Sequence, residues 1–276
     1  MNRFQALLRS EPLDRALVMG ILNVTPDSFS DGGRWTHEAA IRQHATEMAA
    51  AGADLIDIGG ESTRPGAEPV SLEEELARVI PAIKWVRAET NLPISVDTSK
   101  PEVMAAALEA GADMINDVNA LQAPGALDVV REAMVPVCLM HRQGTPQTMQ
   151  DNPVYTDVVA DVEAFLLARA QAVQAETGLD SSAIWLDPGF GFGKTLEHNQ
   201  ALFSELDTLV DSGYPVLVGV SRKRMIGELL GGAPIEERVC GSVSAAVLAA
   251  LKGASVVRVH DVKETVDALT VAMALL

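Results

Sequence analysis

The chain of 276 residues is short of several things, and each shortage closes off a class of protein. Aromatic residues are only 4% of it although hydrophobic residues are 48%, so the core has to be built from Ala, Val, Leu and Ile, as in buried parallel sheets. Cysteine occurs twice, at Cys138 and Cys240, with no Cys-x-x-Cys and no metal-ligand spacing. That excludes a disulfide framework and a thiolate zinc site; both cysteines read as small buried hydrophobes in a reducing compartment. Basic residues are outnumbered, 21 Lys and Arg against 38 Asp and Glu, for a formal net charge of −17. So acidic a surface argues against nucleic acid, and any anionic ligand would need cations gathered locally. No apolar run approaches the roughly 18 residues that a membrane span needs, and the first residues lack the apolar stretch of a secretion signal. The expectation is a cytoplasmic protein without membrane or nucleic-acid partners.

What is present is a rhythm. Short apolar runs that predict strands lie at Leu17–Leu22, Leu55–Gly59, Ile94–Asp97, Met114–Asp117, Val135–Met140, Ile184–Asp187, Pro215–Val220 and Ser255–His260. Helical spacing lies between them. Thr36 is placed to cap a helix that ends at Gly52, Ser71 with Glu74 forms a capping box, and Gly111 closes a helix from Pro101. Further helices are expected over about Tyr155–Glu176, near Glu236–Lys252 and over Val262–Leu276. Pro81, inside an apolar helical pattern, predicts a kink or break near Ile80. Eight β/α units with no linker and no composition shift predict an α/β fold, a (β/α)8 TIM barrel. The reading is one domain over residues 1–276, with about 1–15 as a lead-in; a doubly wound open sheet is the alternative.

In such a barrel the carboxyl ends of all strands open on one face. Those ends carry Asn23, Asp57, Asp97, Asn116, Met140, Asp187, Ser221 with Lys223, and Arg258 with His260. An aspartate after a strand often does no more than cap the next helix, and Asp117, Asp128 and Asp261 are read that way. Carboxylates gathered on one rim repel unless a ligand or cation compensates them. Carboxylates and amides suit a ligand that displays several N–H donors, such as a pterin or guanine ring. Arg258 and His260, two apart on one strand, project the same way and with Asn23 and Arg64 suit phosphate. Asn23 is also a neutral oxygen donor suited to Mg²⁺. His37, His44 and His198 read as structural residues, while His141 and Met140 stay open between rim and core.

Seven stretches, in order, then fall into place. They are Asn-Val-Thr-Pro-Asp-Ser-Phe-Ser-Asp-Gly-Gly from Asn23, Gly-Gly-Glu-Ser-Thr-Arg-Pro-Gly from Gly59, Val-Asp-Thr from Val96, Ile-Asn-Asp from Ile115, Leu-Asp-Pro-Gly-Phe-Gly-Phe-Gly-Lys from Leu186, Ser-Arg-Lys from Ser221 and Arg-Val-His from Arg258. Together they resemble the dihydropteroate synthase family over nearly the whole chain. The resemblance implies joining 6-hydroxymethyl-7,8-dihydropterin pyrophosphate to p-aminobenzoate with release of pyrophosphate, by an SN1-like route assisted by Mg²⁺, in a homodimer. It implies that Asp57, Asp97, Asn116, Met140, Asp187, Gly219 and Lys223 hold the pterin. Asn23, Thr63, Arg64, Arg258 and His260 would hold pyrophosphate, with Asn23 on the metal. Phe29, Thr63, Pro65, Phe192, Ser221 and Arg224 would form the p-aminobenzoate pocket. Asn23, Asp31, Arg64, Lys223, Arg258 and His260 would take part in the chemistry. One departure is Arg224, where many members of the family carry serine. Three other readings compete: a methyltetrahydrofolate–corrinoid methyltransferase, a pterin-binding protein without turnover, and a Schiff-base aldolase built on Lys223.

Overall fold

A computed structural model describes residues 15–25 and 34–276. Eight strands alternate with helices: β1 Leu17–Asn23, β2 Leu55–Gly59, β3 Ile94–Asp97, β4 Met114–Asp117, β5 Val137–Met140, β6 Ile184–Asp187, β7 Leu217–Val218 and β8 Val256–Val259. All pair in parallel, in the order β6-β5-β4-β3-β2-β1-β8-β7. A parallel bridge between Leu186 and Val216 joins the two ends and closes the barrel. The strands alternate in what they bury, because successive side chains point to opposite faces. Leu17, Met19, Leu55, Met114, Cys138, Trp185, Leu217 and Val256 form one buried cluster inside the barrel. Their neighbours along the strands, among them Val18, Ile56, Ile94, Ile115, Val137, Ile184 and Val257, belong to the larger cluster shared with the helices. Stepping two residues on from Leu55, Met114, Cys138, Trp185 and Val256 reaches Asp57, Asn116, Met140, Asp187 and Arg258. Polar residues thus replace the apolar filling toward the carboxyl ends.

The helices are α1 Arg34–Ala50, α2 Leu72–Glu89, α3 Pro101–Ala110, α4 Ala126–Ala133, α5 Val158–Thr177, α6 Leu196–Ser204, α7 Leu206–Val210, α8 Arg224–Leu229, α9 Val239–Leu251 and α10 Val262–Ala274. Several differ from the sequence expectation. Thr36 lies within α1 and not at its cap. The helix α2 runs unbroken through Pro81. Its buried stripe of Glu75, Val79, Ala82, Ile83 and Val86 spans the proline on both sides, so packing holds together what a missing N–H would weaken. Only half of the box at its start forms. Ser71 accepts from the Glu74 N–H, but the Glu74 side chain pairs with Arg78 instead. The complete capping box is elsewhere, at α6, where Thr195 and His198 satisfy each other's backbone N–H. Helix α9 starts at Val239, after a 3₁₀ turn over Ile235–Glu237.

None of the three aspartates read as helix caps makes a side-chain capping bond. Asp128 lies inside α4 and pairs with Arg131, Asp261 pairs with Arg222, and Asp117 binds the N–H groups of Asn119 and Leu121. Those bonds support a turn in which Ala120 and Leu121 both take the left-handed conformation, with φ of 52° and 57°. Cys138 is buried as expected, but Cys240 is exposed. The buried face of α9 is Ser242, Ala246 and Ala249, and Cys240, two residues from Ser242, falls on the opposite side.

Candidate active site

The barrel rim gathers the residues that end the strands. Arg258 on β8 reaches into the barrel, where its Nε lies 2.6 Å from Asp57 Oδ2 and its Nη2 3.0 Å from Asp97 Oδ2. Asn116 donates to the same Asp57 oxygen at 3.2 Å. The second oxygen, Asp57 Oδ1, is buried with no hydrogen-bond partner among the described residues, as is Ser95 Oγ. Opposite them, Asp187 on β6 accepts the Gly189 N–H at 2.7 Å. Lys223 donates to the Phe190 carbonyl at 2.7 Å and sits 4.6 Å from the centre of the Phe192 ring. Met140, 3% exposed, pairs in register with Asp187. Gly219 faces the same space: a Cβ there would lie 3.8 Å from Arg258 and 3.9 Å from Lys223 Nζ.

Burial sets the electrostatics. It pushes the Asp97 carboxyl up to about 7, helped by the Asp57 carboxylate and opposed by Arg258. Asp187 is also raised by burial, against the pull of Lys223 and the Gly189 N–H. Lys223 is lowered to about 8 by burial, with Asp187 opposing. Arg258 stays a cation, because its two carboxylates outweigh its desolvation. The site therefore holds carboxyl groups able to accept or donate, an amide and two cations within one concave mouth.

His260, just past β8, lies 3.1 Å from Ser221 Oγ through Nδ1, and its own N–H donates to that oxygen at 3.1 Å. Burial, then Arg258 and Arg222, lower its pKa to about 4, and Arg64 adds to the effect from the loop after β2. That loop leaves Arg64 and Pro65 exposed and Thr63 half-buried. It is tied to the loop after β5 by the Gly66 N–H on the Pro146 carbonyl and by Gln147 on the Ala67 carbonyl. At the start of α8 the guanidinium of Arg224 pairs with Glu228 one turn on. Asn23 ends β1, half-buried, and its amide makes no hydrogen bond among the described residues. A single neutral oxygen fits Mg²⁺, which takes few protein ligands and completes its shell with phosphate and water. The described residues hold no group of three His, Cys, Asp or Glu side chains arranged for a metal. Phe29 and Asp31 lie outside the described residues.

Glu75 and Lys194 are buried charges that the sequence analysis does not single out. Glu75, fully buried on α2, accepts from Thr98 at 2.6 Å and pairs with Lys100, which also pairs with Glu61. Lys194, also buried, contacts His141. His141, open between rim and core, packs against Phe165 and Tyr155 as part of the wall behind Asp187.

An eight-stranded parallel barrel with this rim is the scaffold of a pterin-binding enzyme, and the chain matches the Pterin binding enzyme family over residues 19–260. The dihydropteroate synthase of Escherichia coli K12 is 52% identical over 261 residues, covering 94% of this chain and 91% of that protein. Two solved structures from Xanthomonas albilineans are similar in fold. Its dihydropteroate synthase with 4-aminobenzoic acid has a TM-score of 0.89 at 57% identity, covering 95% of this chain and 94% of that one. The same enzyme in complex with 7,8-dihydropteroate has a TM-score of 0.87 at 54% identity, covering 96% and 95%. The chain belongs to the dihydropteroate synthase family.

Proposed function

We propose that the enzyme condenses 6-hydroxymethyl-7,8-dihydropterin pyrophosphate with p-aminobenzoate to give 7,8-dihydropteroate and pyrophosphate. The observation that carries this reading is the placing of Asp57, Asp97, Asn116 and Asp187 around Arg258 and Lys223 in one barrel mouth. A reduced pterin offers that mouth a fused ring edged with N–H donors and a carbonyl oxygen. Asp187, Asp97 and Asn116 take the donors, and Lys223 takes the oxygen and a ring nitrogen. Asp57 supplies a further acceptor, and Met140 with Gly219 lines the ring.

Asn23, Thr63, Arg64, Arg258 and His260 receive the pyrophosphate. No side chain in the mouth has to act as a nucleophile, which suits departure of pyrophosphate before the aryl amine attacks. Asn23 would hold Mg²⁺ through its amide oxygen, and the ion would supply charge neutralisation on the phosphate oxygens. Phe29, Thr63, Pro65, Phe192, Ser221 and Arg224 enclose p-aminobenzoate. Arg64, on the loop after β2, completes the site together with Asp31 and excludes water.

No helix among the described residues is long and apolar enough to cross a membrane. A cytoplasmic enzyme of one domain follows on this reading. The exposed side chains of Leu229, Leu230, Leu248, Leu251 and Val271 support a homodimer through α8, α9 and α10.

Pyrophosphate release tests the function. The protein is mixed with the dihydropterin pyrophosphate, with and without p-aminobenzoate, in the presence and absence of Mg²⁺. Stoichiometric release that needs both, with dihydropteroate formed, is expected. Tight pterin binding without release would instead identify a binding protein.

A further inference from the structure

The loop between β6 and α6 contains a buried cation that the reaction proposed above does not use. Lys194 is 2% exposed, and its ammonium lies 3.0 Å from His141 Nδ1, 3.0 Å from the Gly189 carbonyl and 3.1 Å from the Phe192 carbonyl. The His141 carbonyl is more distant at 3.4 Å. An ammonium has three donors and no acceptor, and three short acceptors surround this one. The arrangement requires a bare Nδ1 on His141, and burial with the Lys194 charge lowers that imidazole to about 3, so it stays neutral. Burial also pulls Lys194 down to about 7, with Asp187 opposing.

The neighbouring carbonyls are held just as firmly. The Gly189 oxygen also accepts the Phe192 N–H, at 3.1 Å. Phe190 accepts from Lys223 at 2.7 Å, Gly191 from Gln150 at 2.8 Å, and Gly193 from the Tyr155 hydroxyl at 2.7 Å. Five successive carbonyls, Gly189 to Gly193, therefore each accept a bond from the protein, where a surface loop commonly leaves such groups to water. Gly189, Gly191 and Gly193 take positive φ, of 69°, 82° and 66°, which folds the carbonyls toward their donors. Lys194 is the donor that serves two of the five and also ties the loop to the end of β5.

We propose that Lys194 is a positioning residue for the p-aminobenzoate side of the site. Its ammonium fixes the 189–193 turn, and the turn in turn sets the Phe192 ring and the Phe190 carbonyl that holds Lys223. Lys194 acts through these groups and meets no substrate atom. Methionine at this position would fill the same volume and donate nothing. Arginine, a planar fork, would not match three acceptors arranged around one nitrogen.

This inference rests on the synthase reading, and the wild-type turnover assay tests that reading separately. For the inference, Lys194→Met and Lys194→Gln are compared with wild type in steady-state kinetics and in pterin binding without p-aminobenzoate. The KM for p-aminobenzoate is expected to rise about tenfold or more, as for loss of a charge-assisted hydrogen bond. The Kd for the pterin is expected to move clearly less than that KM, since Asp97 and Asn116 lie on strands that Lys194 does not touch, and Lys194 reaches the pterin groups only through the Lys223 contact to Phe190 and the charge of Asp187. Equal losses in both constants would mean general loosening and would overturn the proposal, as would unchanged constants in a folded variant. If neither variant folds, Gln150→Leu and Tyr155→Phe each delete one donor to the same turn. Both are expected to raise the KM for p-aminobenzoate over the pterin Kd, and no change in that ratio for either would equally overturn it.

Discussion

Arg258 and Asp57 are separated by 201 positions in sequence, yet Arg258 Nε lies 2.6 Å from Asp57 Oδ2 across the barrel mouth. Arg258 was expected to point at phosphate together with His260. In the structure it pairs with the carboxylates of Asp57 and Asp97, while His260 contacts Ser221. The two roles are compatible. A guanidinium has five donors, and two carboxylate contacts do not exhaust them. Arg258 beside Asp57 and Asp97, and Lys223 near Asp187, offset the repulsion among the acidic groups gathered on the rim.

Asp187→Ala is expected to weaken pterin binding by about 3 kcal/mol, the loss of a buried charged hydrogen-bond acceptor. Isothermal titration with the pterin measures it. Affinity equal to wild type would remove Asp187 from the site.

Asp97 makes stability depend on pH. Its carboxyl is raised to about 7 by burial and the Asp57 charge. A raised carboxyl contributes its stability in full below its unfolded pKa, near 4, and loses it as pH rises through the folded value. Urea denaturation at about pH 5 and about pH 8 should therefore find the wild type losing stability relative to Asp97→Asn as pH increases. His260, lowered to about 4, acts in the opposite sense, losing its contribution as pH falls from about 6.5. The difference between wild type and variant isolates Asp97, and parallel pH curves would rule it out as the cause.

Gly189→Ala is a steric test. Its φ is +69°, and a Cβ would stand 1.9 Å from the His141 carbonyl oxygen, a backbone atom that cannot rotate away. Gly213, at φ +83°, has nothing within 4 Å of the same atom. Gly213→Ala should cost about 1 kcal/mol, the left-handed penalty alone, and Gly189→Ala clearly more than about 2 kcal/mol. Equal denaturation midpoints for the two would contradict the geometry.

Arg64→Ala should slow turnover while leaving pterin affinity close to wild type. The side chain is exposed on a loop beyond β2 and makes no side-chain bond to Asp57, Asp97, Asn116 or Asp187. Stopped-flow product formation beside equilibrium pterin binding separates the two constants. A collapse of pterin affinity would put the loop in the ground-state site.

The rim of the barrel was legible in the sequence because strand periodicity is local. An apolar run that aspartate or asparagine interrupts or ends marks a strand and its inward face, and so Asp57 inside Leu55–Gly59, with Asp97, Asn116 and Asp187 at or next to the ends of their strands, can be read directly. What could not be read depends on partners far away in the chain. Glu75 looked like one of three acidic residues in the first turn of α2, and only Thr98 and Lys100 make its burial tolerable. Lys194 stands in the sequence only as the last residue of a glycine-rich stretch, and the His141 ring and turn carbonyls that enclose it are brought to it by the fold. Pro81 obeyed a local rule that the packing of α2 overrode, and Cys240 obeyed a composition rule that helix phase overrode.

The closure of the barrel carries a mechanical consequence. Strand β7 has two residues, and one bridge, Leu186 to Val216, stitches it to β6. The seam therefore runs directly beneath Asp187 on one side and the Gly219–Lys223 segment on the other. A ligand held by both Asp187 and Lys223 would span it like a clasp. The amides along β6 and β7 would be the ones whose hydrogen exchange slows most on binding, and the enzyme would be stiffest only while it is loaded.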